Sequence, residues 1–292
     1  MSAPNGVLPV DKPTGPTSHD VVSLARRALG VRRIGHTGTL DPFASGLLLL
    51  CIGPATRLAE YLTGLPKRYT AALRLGVATD TDDRDGSPIM TSDDWASLSE
   101  AEVVEALSKQ AGDILQVPPR YSAKKIAGER MYVAARRGDH VVAEPVRVTI
   151  SLIQLIRFEP PEVEFEVECS TGTYIRAIAR DIGSELGVGA HLTALRRTRI
   201  GDWDVADAID TDALADAASV STALVAPADA VKHLPRVTVT EADRETVLHG
   251  GSLSLDPPVP SSGPIALMSD AGDLLAIAEA RGARLQPRKV FA

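Results

Sequence analysis

Residues 35–52 read GHTGTLDPFASGLLLLCI, a loop punctuated by Gly35, Gly38 and Gly46 that runs directly into six apolar residues, Leu47 to Ile52. That run is of strand length and falls far short of the ~18 apolar residues a membrane-crossing helix needs. Within the loop Asp41 precedes Pro42, whose ring disfavours helical geometry at the preceding residue and pushes it toward an extended or turn conformation. The glycines allow backbone to approach a ligand closely. The nearest acidic neighbours in sequence are Asp20 and Glu60, so Asp41 reads as a lone carboxylate. A lone carboxylate suits nucleophilic or single-base work rather than two-carboxylate glycosidase chemistry. Spacing alone favours a plainer reading, in which the Asp-Pro pair caps a turn.

Outward from this stretch, the chain opens as a strand or loop through Val10 and turns over Lys12-Pro13-Thr14-Gly15-Pro16. Thr17 or Ser18 then caps a helix with Val21, Val22, Ala25, Ala28 and Leu29 on one face, stopped by Gly30. Pro54 opens a short helix through Leu62. Residues 67–75 alternate as a strand with Tyr69, Ala71, Leu73 and Leu75 on one side. Ser99 and Glu102 make a capping box for a helix ending before Gly112. Segment 120–145, rich in Arg, Lys and Gly, shows no clean period. Strands are expected at 146–158 and around Val163 to Cys169, and a helix from Ile175 to Gly187. Asp- and Ala-rich helix pieces follow at 207–230. Beyond Lys232 come short strands, a helix near 241–249 and a Pro/Gly/Ser-rich loop at 250–264. Strands and helices mix without regular alternation, which predicts an α+β fold.

The 292 residues suit one large domain or two unequal ones. Apolar residues at 44% and charged residues at 24% exclude wholesale disorder. The N-terminal MSAPNGVLPVDKPTG lacks a signal-peptide pattern, and Cys51 and Cys169 form no CxxC pair, so a cytoplasmic protein is expected. A net charge of −7 taken alone argues against a nucleic-acid partner. The charges are segregated, however: +5 over 1–76 and +4 over 120–150, against −8 over 77–119 and −7 over 201–231. Two basic blocks of this kind can form a local positive face despite an acidic average.

No phosphate-binding glycine loop, dinucleotide fingerprint, HExxH or GxSxG occurs, and the six histidines lack metal-ligand spacing. The zinc deaminase pattern is also missing. If the chain is an enzyme, it is therefore expected to work without metal or cofactor. Tyr69, Tyr121, Tyr132 and Tyr174 each lie within two residues of Arg or Lys, a weak signal for base stacking. Taken singly, Tyr69 and Leu195 read as core and Arg176 as a surface charge.

Six segments together resemble one family. They are GVLPVDKPTGPTSHDVV, RRIGHTGTLDPFASGLL, KRYTAALRLGVATDTDDRDG, PPRYSAKKIAGERMYVAARRG, STGTYIRAIARDIGSELG and AHLTALRRTRIGDW, which in this order span roughly residues 6–203. The chain resembles the tRNA pseudouridine synthase B (TruB) family, which isomerises uridine 55 in the tRNA T arm. The resemblance implies a pseudouridine synthase domain at 1–230, a mixed sheet with a central catalytic cleft. A small, mainly-β PUA-like RNA-binding domain would follow at 231–292. By the same resemblance 120–145 is an RNA-gripping insertion carrying Arg120, Lys124, Lys125 and Arg130. Asp41 becomes the nucleophile, Arg176 its charge partner, and Tyr69 the residue stacking on uracil. Tyr174 and Leu195 would line the pocket, and His36 would fill space vacated in the T loop. Lys12 would be structural or phosphate-facing. A monomer acting on tRNA, with no protein partner, cofactor or metal, is implied. The isomerisation breaks N1–C1′, rotates uracil and rejoins it through C5, so no energy source is needed. A buried Asp41 would suit a two-pronged arginine. Whether the carboxylate attacks C1′, attacks C6 or assists elimination stays open. Two other classes remain: a tRNA-folding chaperone with secondary or no catalysis, and a nucleoside hydrolase, which would usually want a metal or a second carboxylate beside Asp41.

Overall fold

The computed structural model describes residues 4–121, 125–126, 129–130, 137, 144–254, 263–282 and 284–291. In chain order its first elements are β1 (Gly6–Lys12), α1 (Ser18–Leu29), β2 (Ile34–His36), β3 (Ser45–Ile52), α2 (Ala59–Thr63) and β4 (Lys67–Leu75). A short pair, β5 (Val77–Thr79) and β6 (Pro88–Thr91), precedes α3 (Glu100–Ser108) and β7 (Gly112–Gln116). Then come β8 (Lys125–Ile126), β9 (Glu129–Arg130), β10 (Val146–Glu159), β11 (Glu162–Cys169), α4 (Ile175–Glu185) and β12 (Ala190–Ile200). Two short strands, β13 (Trp203–Asp204) and β14 (Ile209–Asp210), end the first sheet. Its main path runs β14-β1-β3-β12-β4-β11-β10-β7, with β2 on β3 and β13 on β12.

The apolar run at 47–52 is continuous because β3 is covered on both faces. Leu48, Leu50 and Ile52 face Val21, Val22 and Ala25 of α1. Leu47, Leu49 and Cys51 face Leu58, Leu62 and a second sheet made near the C-terminus. That sheet comprises β15 (Arg236–Thr238), β16 (Leu253–Ser254), β17 (Pro264–Met268), β18 (Leu274–Arg281) and β19 (Arg284–Val290), ordered β15-β17-β18-β19-β16. Ala266, Met268, Leu274, Ile277 and Phe291 join the core under β3, so one face of the C-terminal sheet is buried against the larger one. Arg57 ties the junction, donating to Val290 O at 2.5 Å with its guanidinium 5.5 Å from the Phe291 ring.

Thr17, not Ser18, caps α1, exchanging hydrogen bonds with Asp20 in a capping box, and Gly30 ends the helix at φ 65°. On β4 the alternation holds, with Lys67, Tyr69, Ala71, Leu73 and Leu75 turned inward. The last four of these pack with Ile175, Ile178, Ala179 and Ile182 of α4. The helix expected to open at Pro54 is a 3-10 turn, Gly53–Leu58, before α2. Strand β12, buried between β3 and β4, was not anticipated from sequence. The loop expected at 250–264 lies partly outside the described residues. Among the described residues, no helix is long and apolar enough to cross a membrane.

Candidate active site

The loop carrying Asp41 is fixed from three sides. Ser18, buried at the first turn of α1, receives the Leu40 N–H at 2.8 Å and donates its hydroxyl to Leu40 O at 3.1 Å. The Gly15 N–H donates to Pro42 O at 2.8 Å. At the far end Gly46 adopts φ 104° against β12, where a Cβ would stand 2.3 Å from the Arg197 carbonyl oxygen, so only glycine fits. Ser18→Ala leaves the buried Leu40 N–H without its acceptor and is expected to cost about 1–3 kcal/mol of stability, measurable by urea unfolding.

Arg176 reaches this loop from the first turn of α4. That helix is started by an unusual device: Gln116, 1% exposed on β7, accepts the Tyr174 N–H at 2.8 Å and donates its amide to Tyr174 O at 3.1 Å. Arg176 Nε lies 3.0 Å from Asp41 Oδ2. Its Nη1 donates to Thr81 O at 2.9 Å and lies 3.3 Å from Asp83 Oδ2, and its Nη2 donates to Tyr121 O at 2.9 Å. The two-pronged pairing expected of Arg176 and Asp41 is thus corrected. The guanidinium meets Asp41 through Nε and spends its other nitrogens on the 81–83 turn and Tyr121. Nor is Asp41 alone in space. The fold brings Asp83, 42 residues further along the chain than Asp41, across the same guanidinium, and that contact cannot be read from local spacing. Asp83 is buried, and burial pushes its carboxyl up.

A cleft of about 250 Å³ opens over this pair, lined by Asp41, Tyr69, Tyr121, Tyr174, Leu195 and Arg197 among others. Asp41, at 38% side-chain exposure, is the acid that faces it. Tyr69 on β4 and Arg197 on β12 are register partners, as are Ala71 and Leu195, so the two strands form the floor. Tyr69 is buried, which pushes its phenol up, and its hydroxyl is hydrogen-bonded to Arg197. Arg197, 1% exposed, also donates to Leu47 O at 2.7 Å and Gly38 O at 3.2 Å, tying the floor to the loop.

Of the residues singled out from sequence, Asp41, Tyr69, Arg176, Tyr174 and Leu195 therefore meet in one cleft. His36 sits half-buried on β2, outside the cleft lining, with Nδ1 buried and no hydrogen-bond partner; burial lowers its pKa. Lys12 is fully buried, donating to Pro13 O and Pro16 O at 2.8 Å each, with its pKa pushed down by burial to about 8. No exposed face remains for a phosphate, so the structural alternative is the one its placement fits. Arg120 is half-buried beside Tyr121. Lys125 and Arg130 pair in the β8–β9 ladder, while their side chains, like Lys124 as a whole, lie outside the described residues. Missed from sequence were Lys67, Asp83, Gln116 and Arg197, all buried polar residues. The signal available for Lys67 and Arg197 was a basic residue occupying an inward position of a period-two pattern. Among the described residues, no group of three or more His, Cys, Asp or Glu could hold a metal ion.

The turn supporting Arg176 carries a titratable strain point. Asp82 adopts φ 61°, and its carboxylate meets Arg180 at 3.2 Å, yet burial pushes its pKa up to about 6. A folded pKa above the unfolded value of 3.8 adds stability that is fully present below that value and is lost as pH rises through about 6. Wild type is therefore expected to lose stability between pH 4 and 6 relative to Asp82→Asn, whose amide tolerates the same backbone region. Parallel denaturation midpoints across that range measure it.

Residues 26–175 match the TruB family pseudouridylate synthase N-terminal domain, and residues 176–241 match the tRNA pseudouridylate synthase B C-terminal domain. The chain belongs to the TruB family. It is 44% identical over 296 residues to tRNA pseudouridine synthase B of Thermobifida fusca, covering 99% of each chain. With the enzyme of the same name from Symbiobacterium thermophilum it shares 47% over 249 residues, 84% of this chain and 82% of that one. A similar solved structure is a chain of an H/ACA RNP bound to a substrate RNA containing 2′-deoxyuridine, with TM-score 0.77 and 26% identity, covering 98% of this chain and 85% of that one. A chain of a Cbf5-Nop10-Gar1 complex gives the same TM-score at 27% identity, covering 98% and 85%. The family's fold and pseudouridine-forming activity agree with the expectation from the sequence motifs.

Proposed function

We propose that this enzyme converts uridine 55 in the T loop of tRNA to pseudouridine, with Asp41 as the nucleophile. The observation that carries the reading is the Asp41–Arg176 pair at the open base of a cleft floored by Tyr69 and Leu195. The target base leaves the T-loop stack, an extrusion costing a few kcal/mol, and stacking on Tyr69 at roughly 1–3 kcal/mol offsets much of that. Asp41 then faces the sugar–base junction while Arg176 holds its position. The N1–C1′ bond breaks, uracil turns, and C5 joins C1′. The C5 proton is released to water and N1 gains one, so composition is unchanged. His36 beside the Asp41 loop fills the space the extruded base vacates.

Residues 1–230 act in this reading as the catalytic domain and 231–292 as a PUA-like RNA-binding domain. The basic segment 120–145 grips the T arm, with Tyr121 O, bound to Arg176, linking its stem to the site. The enzyme works as a cytoplasmic monomer. The test is an unmodified tRNA transcript incubated with the protein and mapped for pseudouridine at single-nucleotide resolution. One new pseudouridine at position 55 is expected. Binding without product would favour the RNA-folding chaperone, and free uracil a hydrolase.

A further inference from the structure

Lys67 is 6% exposed, lines the cleft, and lies on the same inward face of β4 as Tyr69. Its ammonium donates to Thr63 O at 2.6 Å and Leu65 O at 2.7 Å, which occupy two of its three N–H donors. Among the described residues it forms no ion pair with a carboxylate. The groups facing it from neighbouring strands are Arg197 on β12 and the Cys169 thiol on β11. Both Lys67 and Arg197 lie under Gly38 at the cleft edge: a Cβ there would stand 3.9 Å from Lys67 Cε and 3.7 Å from Arg197 Nη1. The glycine thus leaves the two cations uncovered by side chain on that side.

An ammonium buried without a carboxylate is costly, and an aliphatic residue would fill the same position without that cost. Burial, with Arg197 adding to it, pushes Lys67 down to about 8. The cleft is therefore lined by three cations, Lys67, Arg176 and Arg197, and by one carboxylate, Asp41, while Asp83, outside the lining, meets Arg176. The surplus positive charge lies on the floor beside Tyr69, on the β4–β12 side of the site, whereas both carboxylates meet Arg176.

We propose that Lys67, backed by Arg197, is a catalytic residue that takes up the negative charge developing on the uracil ring as its bond to the sugar breaks. This inference rests on the pseudouridine-forming reading of the site. When N1–C1′ breaks, its electron pair stays on the base and is shared by ring conjugation with O2 and O4, while C1′ is taken up by the Asp41 carboxylate oxygen. After rotation the C5 electron pair forms the bond to C1′ and the carboxylate leaves. The C5 proton then passes to water and N1 is reprotonated. Lys67 donates its remaining N–H to a base carbonyl oxygen throughout and is itself unchanged. A donor preorganised where charge develops acts on the reaction rate rather than on substrate binding.

The test compares T-arm stem-loops carrying uridine or 5-fluorouridine at the target position in single-turnover reactions. The readout is disappearance of the target N-glycoside after digestion. Fluorine withdraws charge from the ring and stabilises the departing anion without the protein. Lys67→Met is expected to slow the uridine RNA by ~10²-fold and the 5-fluorouridine RNA by less than ~10-fold, as for loss of one preorganised donor. Lys67→Arg is expected to restore part of the uridine rate. An equal slowdown on both RNAs, or none on either, overturns the proposal and leaves Lys67 a structural residue. Should Lys67→Met fail to fold, Lys67→Gln, which keeps donors for the Thr63 and Leu65 carbonyls, is read by the same ratio. Failure of the wild-type enzyme to convert the uridine RNA would instead overturn the underlying reading.

Discussion

Asp41→Asn is expected to lower pseudouridine formation by at least ~10⁴-fold, the scale seen when a nucleophile acting within a catalytic unit is removed. The amide has nearly the same shape, but it lacks the charge and the lone-pair reactivity that the reaction uses. RNA affinity should change little, because the cleft walls and floor remain: Tyr69, Tyr174 and Leu195 do not depend on the Asp41 side chain for their positions. Their supports are the β4–β12 register and the Gln116 clamp on Tyr174. The variant should also fold, since Asp41 is 38% exposed and Arg176 retains Asp83, Thr81 O and Tyr121 O. Single-turnover rates measured beside equilibrium binding of the same tRNA separate the two effects.

Arg176→Met carries the second large effect, and here stability falls together with rate. The guanidinium is 7% exposed and is the partner of Asp83, which is 8% exposed. Removing one member of a buried pair leaves the other charge uncompensated, a loss of about 3–5 kcal/mol. Thr81 O and Tyr121 O lose their donors as well. The rate should drop by at least ~10²-fold because Asp41 loses its positioning contact. Arg176→Lys is not a conservative rescue, since a point charge cannot span Asp41, Asp83 and two carbonyls as a planar guanidinium does. Adding Asp83→Asn to Arg176→Met should recover part of the stability and none of the rate. Urea midpoints and single-turnover rates on the two variants check both halves.

Much of this arrangement was legible in the sequence. The apolar run at 47–52 marked a strand, which the fold covers on both faces, the alternation at 67–75 marked β4, and the Ser99–Glu102 box marked α3. Each of those signals is local, and tertiary packing agrees with it. Strand β12 was hidden because Arg196, Arg197 and Arg199 interrupt the apolar pattern that marks a central strand. Of these, Arg197 lies wholly inside, where carbonyls and the Tyr69 hydroxyl satisfy its donors. Arg196 is instead held by Asp11 at 2.6 Å, 185 residues away in the chain. The cleft residues were found chiefly through the family resemblance. Their individual readings, Tyr69 as core and Arg176 as surface, concealed that a strand floor and a helix start converge on one loop. Asp83 and Gln116 escaped notice for the same reason: their roles exist only as contacts across the fold.

The most direct measurement of the central claim uses tRNA transcribed with uridine tritiated at C5. Joining C5 to C1′ must expel that hydrogen, so the wild-type enzyme is predicted to release the tritium of one uridine per tRNA into water. Asp41→Asn, with tRNA bound, is predicted to release none. Equal release by the two proteins would contradict the assignment of the chemistry to Asp41, and absence of release by wild type would contradict the reaction itself.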